Sequence, residues 1–152
     1  MARPLSISFS PVGFGTAQFD TAVLPQGARA LNDALAGGVN WIDTARDFGR
    51  GNALKSLAGA LAQTTRAAEC TVVLKTPPLH SLEPAALKSE FEWARGLLGS
   101  ARPWILLLRD PEFLAGQGLD SRALHERLKA AFSWLAGERE AGRIQAFGVC
   151  SQ

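Results

Sequence analysis

The residues whose types and spacing could carry out chemistry lie in the stretch 40–49. A short apolar run, Trp41 and Ile42, predicts a buried strand, and the carboxylate of Asp43 follows where the strand gives way to a polar loop. In a barrel of alternating strands and helices, polar residues at the C-terminal ends of strands carry out the reaction. Asp43 is therefore a candidate catalytic residue; the alternative is an ordinary aspartate that caps a turn or the next helix.

A second candidate, Lys75, ends another predicted strand. The run 70–76 stays apolar on both faces, as strands do in a parallel sheet that is covered on both sides. Lys75 is either a site residue or simply the point where this strand meets water. Near the N-terminus, glycines alternate with apolar residues over 11–17, which predicts either a tightly packed strand whose end approaches a ligand or a plain glycine-rich turn.

Strand-like and helix-like patterns alternate along the chain and position these candidates. The predicted strands cover residues 11–17, 39–44, 70–76, 104–108 and 144–149, and a short exposed strand or hairpin is predicted at 5–9. The predicted helices cover residues 25–36, 52–63, 81–99 and 120–142. Strand and helix thus repeat four times before a fifth strand, which implies right-handed parallel units and an α/β fold.

Composition and charge exclude several classes of function. The 152 residues are 47% hydrophobic and 20% charged, which is typical of one soluble globular domain, here residues 1–152. A formal charge of +2 with scattered arginines gives no argument for a nucleic-acid or membrane partner, and no apolar run could span a bilayer. The two cysteines and two histidines have no metal-ligand spacing, so we expect no metal site and free thiols in a reducing cytoplasm.

Five segments of the chain, in the same order, resemble the aldo-keto reductase family. Asp43-Thr44-Ala45 followed by Phe48-Gly49 resembles the family's Asp-Thr-Ala-x-x-Tyr-Gly motif. The other four are similar to its first barrel strand, its lysine strand, its histidine strand and its Gly-Lys-Ile-Arg-x-Ile-Gly-Val-Ser-Asn segment, at residues 13–17, 72–76, 105–111 and 142–151. The resemblance implies a partial (β/α)8 TIM-type barrel of about five βα units and hydride transfer from NADPH to an aldehyde or ketone.

The resemblance also implies four catalytic positions. In the family a tyrosine gives its proton to the developing alkoxide, a lysine held by an aspartate lowers the pKa of that tyrosine, and a histidine orients the carbonyl. This chain has Asp43 and Lys75, but Phe48 stands in the tyrosine position and Arg109 in the histidine position. Phenylalanine has no proton to give, and arginine is permanently charged. His80 could replace the proton donor, the alternative being a solvated loop histidine.

The resemblance assigns NADP as cofactor and Gly15, Thr16, Asp43 and Ser151 as its contacts. The Ser-Asn pair that holds the nicotinamide amide in the family corresponds here to Cys150 and Ser151, so it is altered. The family's loops after the seventh and eighth strands, which make most contacts with the adenosine phosphate, are absent from the 152 residues. The resemblance therefore implies the nicotinamide side of a site without its phosphate anchor.

Two functions follow from these expectations. The first is an NADP-dependent oxidoreductase that acts on a small carbonyl compound and is impaired at Phe48 and Arg109. The second is a non-catalytic, aldo-keto-reductase-like structural or regulatory partner in which Asp43, Lys75 and Arg109 persist as an ion cluster. Because five strands leave two parallel sheet edges unpaired, we also expect self-association, a second polypeptide that covers the edges, or a longer gene product.

Overall fold

Five parallel strands alternate with helices in the computed structural model, which describes residues 7–20, 24–64, 66, 68, 70–76, 82–99 and 103–151. The strands are β1 Phe14–Gly15, β2 Trp41–Ala45, β3 Thr71–Lys75, β4 Trp104–Arg109 and β5 Ala146–Cys150. The helices are α1 Leu24–Ala36, α2 Ala53–Leu61, α3 Pro84–Leu98, α4 Glu112–Gly116 and α5 Ser121–Glu140. The strands pair in chain order, each parallel to the next. The predicted parallel α/β architecture is therefore confirmed.

Local sequence signals set the ends of the longer helices. α3 begins at Pro84, where a proline costs no main-chain hydrogen bond because the N–H groups of the first turn have no carbonyl acceptor within the helix. α5 begins after Asp120, whose side chain accepts a hydrogen bond from the main-chain N–H of Ala123 at 2.7 Å. Each of these helices follows a strand and returns the chain to the start of the next one.

The hydrophobic core lies between the helices and one face of the sheet, here called the outer face. Phe91 of α3 packs edge-on against Trp104 of β4 and Trp134 of α5, with ring centroids 5.5 Å and 6.5 Å apart. The largest fully buried side chains include Leu31, Leu35, Ile42, Leu54, Leu57, Leu74, Leu106, Leu108 and Leu135. Burial of this apolar surface is the main stabilising contribution to the fold.

The opposite face of the sheet, here called the inner face, carries the candidate site residues. Asp43 pairs in register with Val73, and Val73 pairs with Ile105. Paired residues of parallel strands share a face, and so do residues two apart along one strand. Lys75, two residues beyond Val73, therefore lies on the same face as Asp43, one strand away.

The structure differs from the predicted elements mainly at short segments. The strand predicted at 11–17 is reduced to β1, in which only Phe14 and Gly15 pair in register with β2. No strand forms at residues 7–9, and residues 5–6 lie outside the described part of the chain. α4 and a 3-10 turn at Phe48–Gly51 were not predicted.

A pH-dependent ion pair joins α5 to the segment that precedes β5. Arg143 donates two hydrogen bonds, at 2.5 Å and 2.8 Å, to the buried carboxylate of Glu138. These bonds, more than the charge of Arg143, hold the pKa of Glu138 below its ordinary value, although burial opposes them. A folded-state pKa that is lowered adds stability above the unfolded-state pKa, and that stability is lost as the pH falls.

We therefore predict that Arg143→Met lowers the urea midpoint of unfolding at pH 7, and that the loss shrinks below the ordinary glutamate pKa of about 4.3. Arg122→Met, at an exposed position of α5, is the matched control and should leave the midpoint unchanged at both pH values. An equal loss for Arg143→Met at neutral and acidic pH would contradict the prediction.

Candidate active site

An ion pair between Asp43 and Lys75 lies on the inner face of the sheet. Lys75 Nζ donates a hydrogen bond to Asp43 Oδ2 at 2.9 Å, and the two side chains are 20% and 22% exposed, respectively. Because much of each side chain is shielded from water, their attraction is screened less than that of a surface pair. The pair results directly from the register between β2 and β3.

The ring of Phe48 lies against two cations. Lys75 Nζ is 5.7 Å and Arg109 Cζ is 5.5 Å from the centroid of this ring, both within the range of cation–π contacts. The structure thus brings together the four positions, Asp43, Lys75, Phe48 and Arg109, for which the sequence predicts catalytic roles. The position of the expected proton donor is occupied by a hydrocarbon ring close to two positive groups.

The guanidinium of Arg109 is held by carboxylates of the loops that follow β2 and β4. Its side chain is only 9% exposed, its Nη2 is 2.5 Å from Asp47 Oδ2, and its Nε is 3.8 Å from Asp110 Oδ2. Its main-chain N–H donates to Thr76 Oγ1 at 3.2 Å, whereas Nε has no hydrogen-bond partner among the described residues. A buried arginine needs paired charges to offset its loss of hydration, and these aspartates supply them.

A tight turn of unusual backbone conformation positions Phe48. Gly49 and Arg50 both have a φ of +54°, and Gly51 has a φ of +82°. The main-chain N–H of Gly49 donates to the carbonyl oxygen of Ala17 at 3.0 Å, which ties the turn to the segment after β1. Three consecutive left-handed residues are costly, so the turn depends on its two glycines.

A cavity of about 580 Å³ opens on the inner face beside the ion pair. Gly15, Asp43, Lys75 and Ser151, all predicted site residues, contribute to its wall. Phe48 and Arg109 do not. The complete lining is Gly13, Gly15, Trp41, Asp43, Val73, Lys75, Leu107, Val149, Cys150 and Ser151.

The other predicted cofactor contacts differ in how accessible they are. Thr16 is fully buried, and its hydroxyl lies 3.0 Å from the carbonyl oxygen of Asp43 and 2.9 Å from Thr44 Oγ1, where it links β1 to β2. Ser151 is exposed, and its hydroxyl donates to Glu112 Oε1 at 2.6 Å. Gly15 and Ser151 line the cavity, whereas Thr16 does not. Their roles toward a cofactor stay predictions.

The sequence analysis assigned no role to Asp47, Asp110 or Trp41. The two aspartates hold Arg109, and Trp41, taken as part of a buried strand, is half-buried on the cavity wall. A signal for the aspartates was available, because an arginine at the end of a buried strand requires a nearby carboxylate, and both stand in loops next to predicted site residues. Trp41 gave no such signal.

Histidines and metal-binding groups do not add to this site in the part of the chain that the structure describes. His125 is exposed on α5, and His80 lies outside the described residues. Residues 7–20, 24–64, 66, 68, 70–76, 82–99 and 103–151 contain no group of three or more His, Cys, Asp or Glu side chains placed to hold a metal ion. No described helix combines the length and apolar character needed to cross a membrane.

Comparisons with known proteins bear on this geometry. Residues 11–152 match the model of the Aldo/keto reductase family. A comparison with curated protein sequences finds no match.

Solved structures similar to this chain include three aldo-keto reductases. The holo form of the reductase from Bacillus halodurans is 16% identical, with a TM-score of 0.76, and the match covers 97% of this chain and 48% of that one. The reductase from Pseudomonas aeruginosa is 23% identical, with a TM-score of 0.73, and the match covers 97% of this chain and 58% of that one. The reductase from Klebsiella pneumoniae, in complex with NADPH, is 21% identical, with a TM-score of 0.65, and the match covers 90% of this chain and 44% of that one. This chain spans about half the length of such structures, and the likeness confirms the predicted partial barrel fold.

The turn after Phe48 yields a stability prediction with a matched control. A Cβ on Gly49 would collide with the carbonyl oxygen of Phe19, whereas a Cβ on Gly51 would meet open space. Both residues have a positive φ, so Gly51→Ala should cost about 1–2 kcal/mol of unfolding free energy. Gly49→Ala should cost at least about 1 kcal/mol more, because of the collision. Urea unfolding measures both, and equal losses would contradict the expected collision.

The electrostatics of the site can be measured with an introduced tyrosine, because the chain contains none. Two cations beside the ring favour a phenolate, so in Phe48→Tyr the tyrosine pKa should fall about one unit or more below its ordinary value of about 10. Ultraviolet absorbance titration reports this pKa directly. Adding Lys75→Met should raise it again.

Phe113→Tyr is the matched control for this titration, because Phe113 is 44% exposed on α4. Its tyrosine should titrate near the ordinary value. Equal tyrosine pKa values in Phe48→Tyr and Phe113→Tyr would contradict the expected influence of the cations on position 48.

Proposed function

Because this chain belongs to the aldo/keto reductase family, we propose that it carries the carbonyl-reducing centre of an NADP-dependent oxidoreductase in a strongly impaired form. The observation that carries this proposal is the arrangement of Asp43, Lys75 and Arg109 on three neighbouring strands. Phe48 lies in the turn after the first of these strands, against the two cations. The first two supply a charged pair beside a cavity. The other two supply no group that is suited to give a proton.

The chemistry of carbonyl reduction explains the impairment. A hydride that reaches the carbonyl carbon leaves an alkoxide, which must be stabilised and protonated. Lys75 places a positive charge on the cavity wall, but Phe48 offers no proton, and Arg109 keeps its charge at neutral pH. Loss of one well-placed donor to a developing oxyanion typically costs about 100- to 1000-fold in rate, so we expect at least that loss here.

The cavity fits one end of NADP. Gly15, Asp43 and Ser151 on its wall would hold the nicotinamide end, and the bound cofactor would supply the hydride. Phosphate groups are held by arginines, lysines or helix N-termini. The one lysine or arginine on the wall, Lys75, is already paired with Asp43. The described wall therefore suits a nicotinamide better than the phosphates of the cofactor.

The substrate that we propose is a small aldehyde or ketone, since the cavity volume of about 580 Å³ falls within the usual range for small-molecule sites. The compartment that we propose is the cytoplasm. Its support is the free thiol of Cys150, because thiols stay reduced there.

A second candidate function is that of a non-catalytic structural or regulatory partner. The charges of the site favour it, because they satisfy one another: Lys75 pairs with Asp43, and Arg109 pairs with Asp47 and Asp110. A carbonyl substrate would have to compete with these carboxylates for each cation. Under this alternative the five charged side chains of these pairs serve to hold the strands and their loops together.

NADPH titration followed by fluorescence separates the two functions. Saturable binding at micromolar NADPH would support the oxidoreductase, whereas no binding at millimolar NADPH would favour the non-catalytic partner. The mass of the chain in solution, measured by light scattering, accompanies the titration, so that binding is assigned to a known assembly state.

The double variant Phe48→Tyr, Arg109→His restores the family's proton donor and histidine. We predict that it raises NADPH-dependent carbonyl reduction by less than about tenfold, because the described cavity wall offers no phosphate anchor. This is well short of the range of about 100- to 1000-fold expected for a donor that acts in a complete site. The control is Phe113→Tyr, which adds a tyrosine away from the site. A gain of about 100-fold or more in the double variant would contradict this prediction.

A further inference from the structure

A buried carboxylate on α3 is not part of the candidate site. The side chain of Glu90 is only 7% exposed. Its Oε2 accepts a hydrogen bond from Arg46 Nη1 at 2.8 Å, whereas its Oε1 has no hydrogen-bond partner among the described residues. A carboxylate that is shielded from water needs an opposite charge to offset its lost hydration. Arg46 supplies that charge, and Glu90 in turn holds the guanidinium of Arg46 at α3.

Trp93 contacts the same guanidinium from a second side. It follows Glu90 by three residues, and residues three apart share a face of a helix. Arg46 Cζ is 4.6 Å from the centroid of the Trp93 ring, which is within the range of cation–π contacts. The Arg46 side chain is 49% exposed, and a long side chain in water samples many conformations unless specific contacts hold it. Here a buried carboxylate and an indole ring hold it.

Arg46 stands at the start of the loop that carries Phe48. It is the first residue after β2, and it precedes Phe48 by two residues. The next residue, Asp47, pairs with Arg109 of β4, and the main-chain N–H of Gly49 donates to the segment after β1. The loop is thus attached at three points close to Phe48, to α3, to β4 and to the segment after β1.

The turn in this loop depends on such attachments. Gly49, Arg50 and Gly51 have φ values of +54°, +54° and +82°. Backbone in this region costs free energy and persists only where surrounding contacts hold it. Without them the loop would relax, and the ring of Phe48 would move with it. The attachment through Arg46 acts from outside the site, because its partners lie on α3 and not on the cavity wall.

We propose that Arg46 is a positioning residue, which α3 holds so that the ring of Phe48 stays against its two cations. Glu90 and Trp93 are the side chains through which α3 acts. The proposal rests on the proposed function in one respect, since it takes position 48 as part of the catalytic centre. The alternative is an ordinary ion pair that only attaches α3 to the sheet, and such a pair would leave position 48 unaffected.

An introduced tyrosine tests this proposal through the direction of a pKa change. In Phe48→Tyr the two cations are expected to lower the tyrosine pKa. Adding Glu90→Leu removes a negative charge, which by its direct electrostatic effect alone would lower this pKa further. If Arg46 positions the ring, the loss of Glu90 instead raises the pKa by about half a unit or more, because the ring moves away from the cations. Ultraviolet absorbance titration measures the change.

Glu92→Leu, in the same tyrosine background, is the matched control. Glu92 also lies on α3, but its side chain is 48% exposed and pairs with Arg95. This control should leave the tyrosine pKa unchanged. Trp93→Leu removes the cation–π contact without changing any charge, and it should raise the tyrosine pKa as well, though by less.

Hydrogen exchange measured by NMR gives a second readout, on the chain that keeps Phe48. In Glu90→Leu the main-chain amide of Gly49 should exchange at least about tenfold faster than in the unaltered chain, because the loop opens locally. The reference is the amide of Val72, a fully buried residue of β3 whose N–H donates to the carbonyl oxygen of Pro103 at 2.9 Å. Its exchange should change much less.

Three results would overturn the proposal. The first is a tyrosine pKa that Glu90→Leu lowers or leaves unchanged. The second is an equal rise in the control Glu92→Leu. The third is equal acceleration of exchange at Gly49 and Val72, which would mean that Glu90 only stabilises the fold as a whole. None of these readouts involves NADPH or turnover, so failure here is distinguishable from failure of the proposed function.

Discussion

Main-chain pairing between parallel strands is the constraint on which the rest of this structure depends. Asp43 sits opposite Val73, and Lys75 follows two residues later on the same face, so their ion pair is a direct product of the register. A shift of one residue would turn Lys75 to the outer face, into the core against the helices. Arg109 ends β4, the strand next to β3, which places its guanidinium beside Phe48 in the loop that follows β2.

The departures from the family pattern form a consistent local arrangement. An arginine at a buried strand end brings a permanent charge that must be neutralised. Asp47 and Asp110 do this, and the ring of Phe48 presents its face, the negative side of an aromatic quadrupole, to Lys75 and Arg109. A tyrosine hydroxyl is not needed for this packing. The site is thus electrostatically complete without the groups that would move a proton.

Much of the fold could be predicted from the sequence, because its long elements have strong signals. Continuous apolar runs predict β3 and β4. The capping residue Asp120 predicts the start of α5. The shortness of β1 could not be predicted, because only two of its residues find register partners on β2. The five residues of α4 are too few for periodicity to show. A buried arginine at a strand end signals that it needs a carboxylate, but the Arg109–Asp47 pair joins residues 62 positions apart, so the sequence does not say which carboxylate meets that need.

The division of the sheet into two faces explains how such a fold can keep its form while its chemistry changes. The packing that stabilises the structure lies on the outer face, where Phe91 and Trp104 meet between helices and sheet. The candidate site lies on the inner face and in the loops, where side chains are only partly buried and contribute less apolar burial. Replacing a tyrosine by phenylalanine at position 48 would therefore remove a proton donor without opening a cavity in the core. Under the proposed function, turnover would therefore depend on side chains such as Phe48 and Arg109 and on the wall that holds the cofactor, not on the packing that defines the fold.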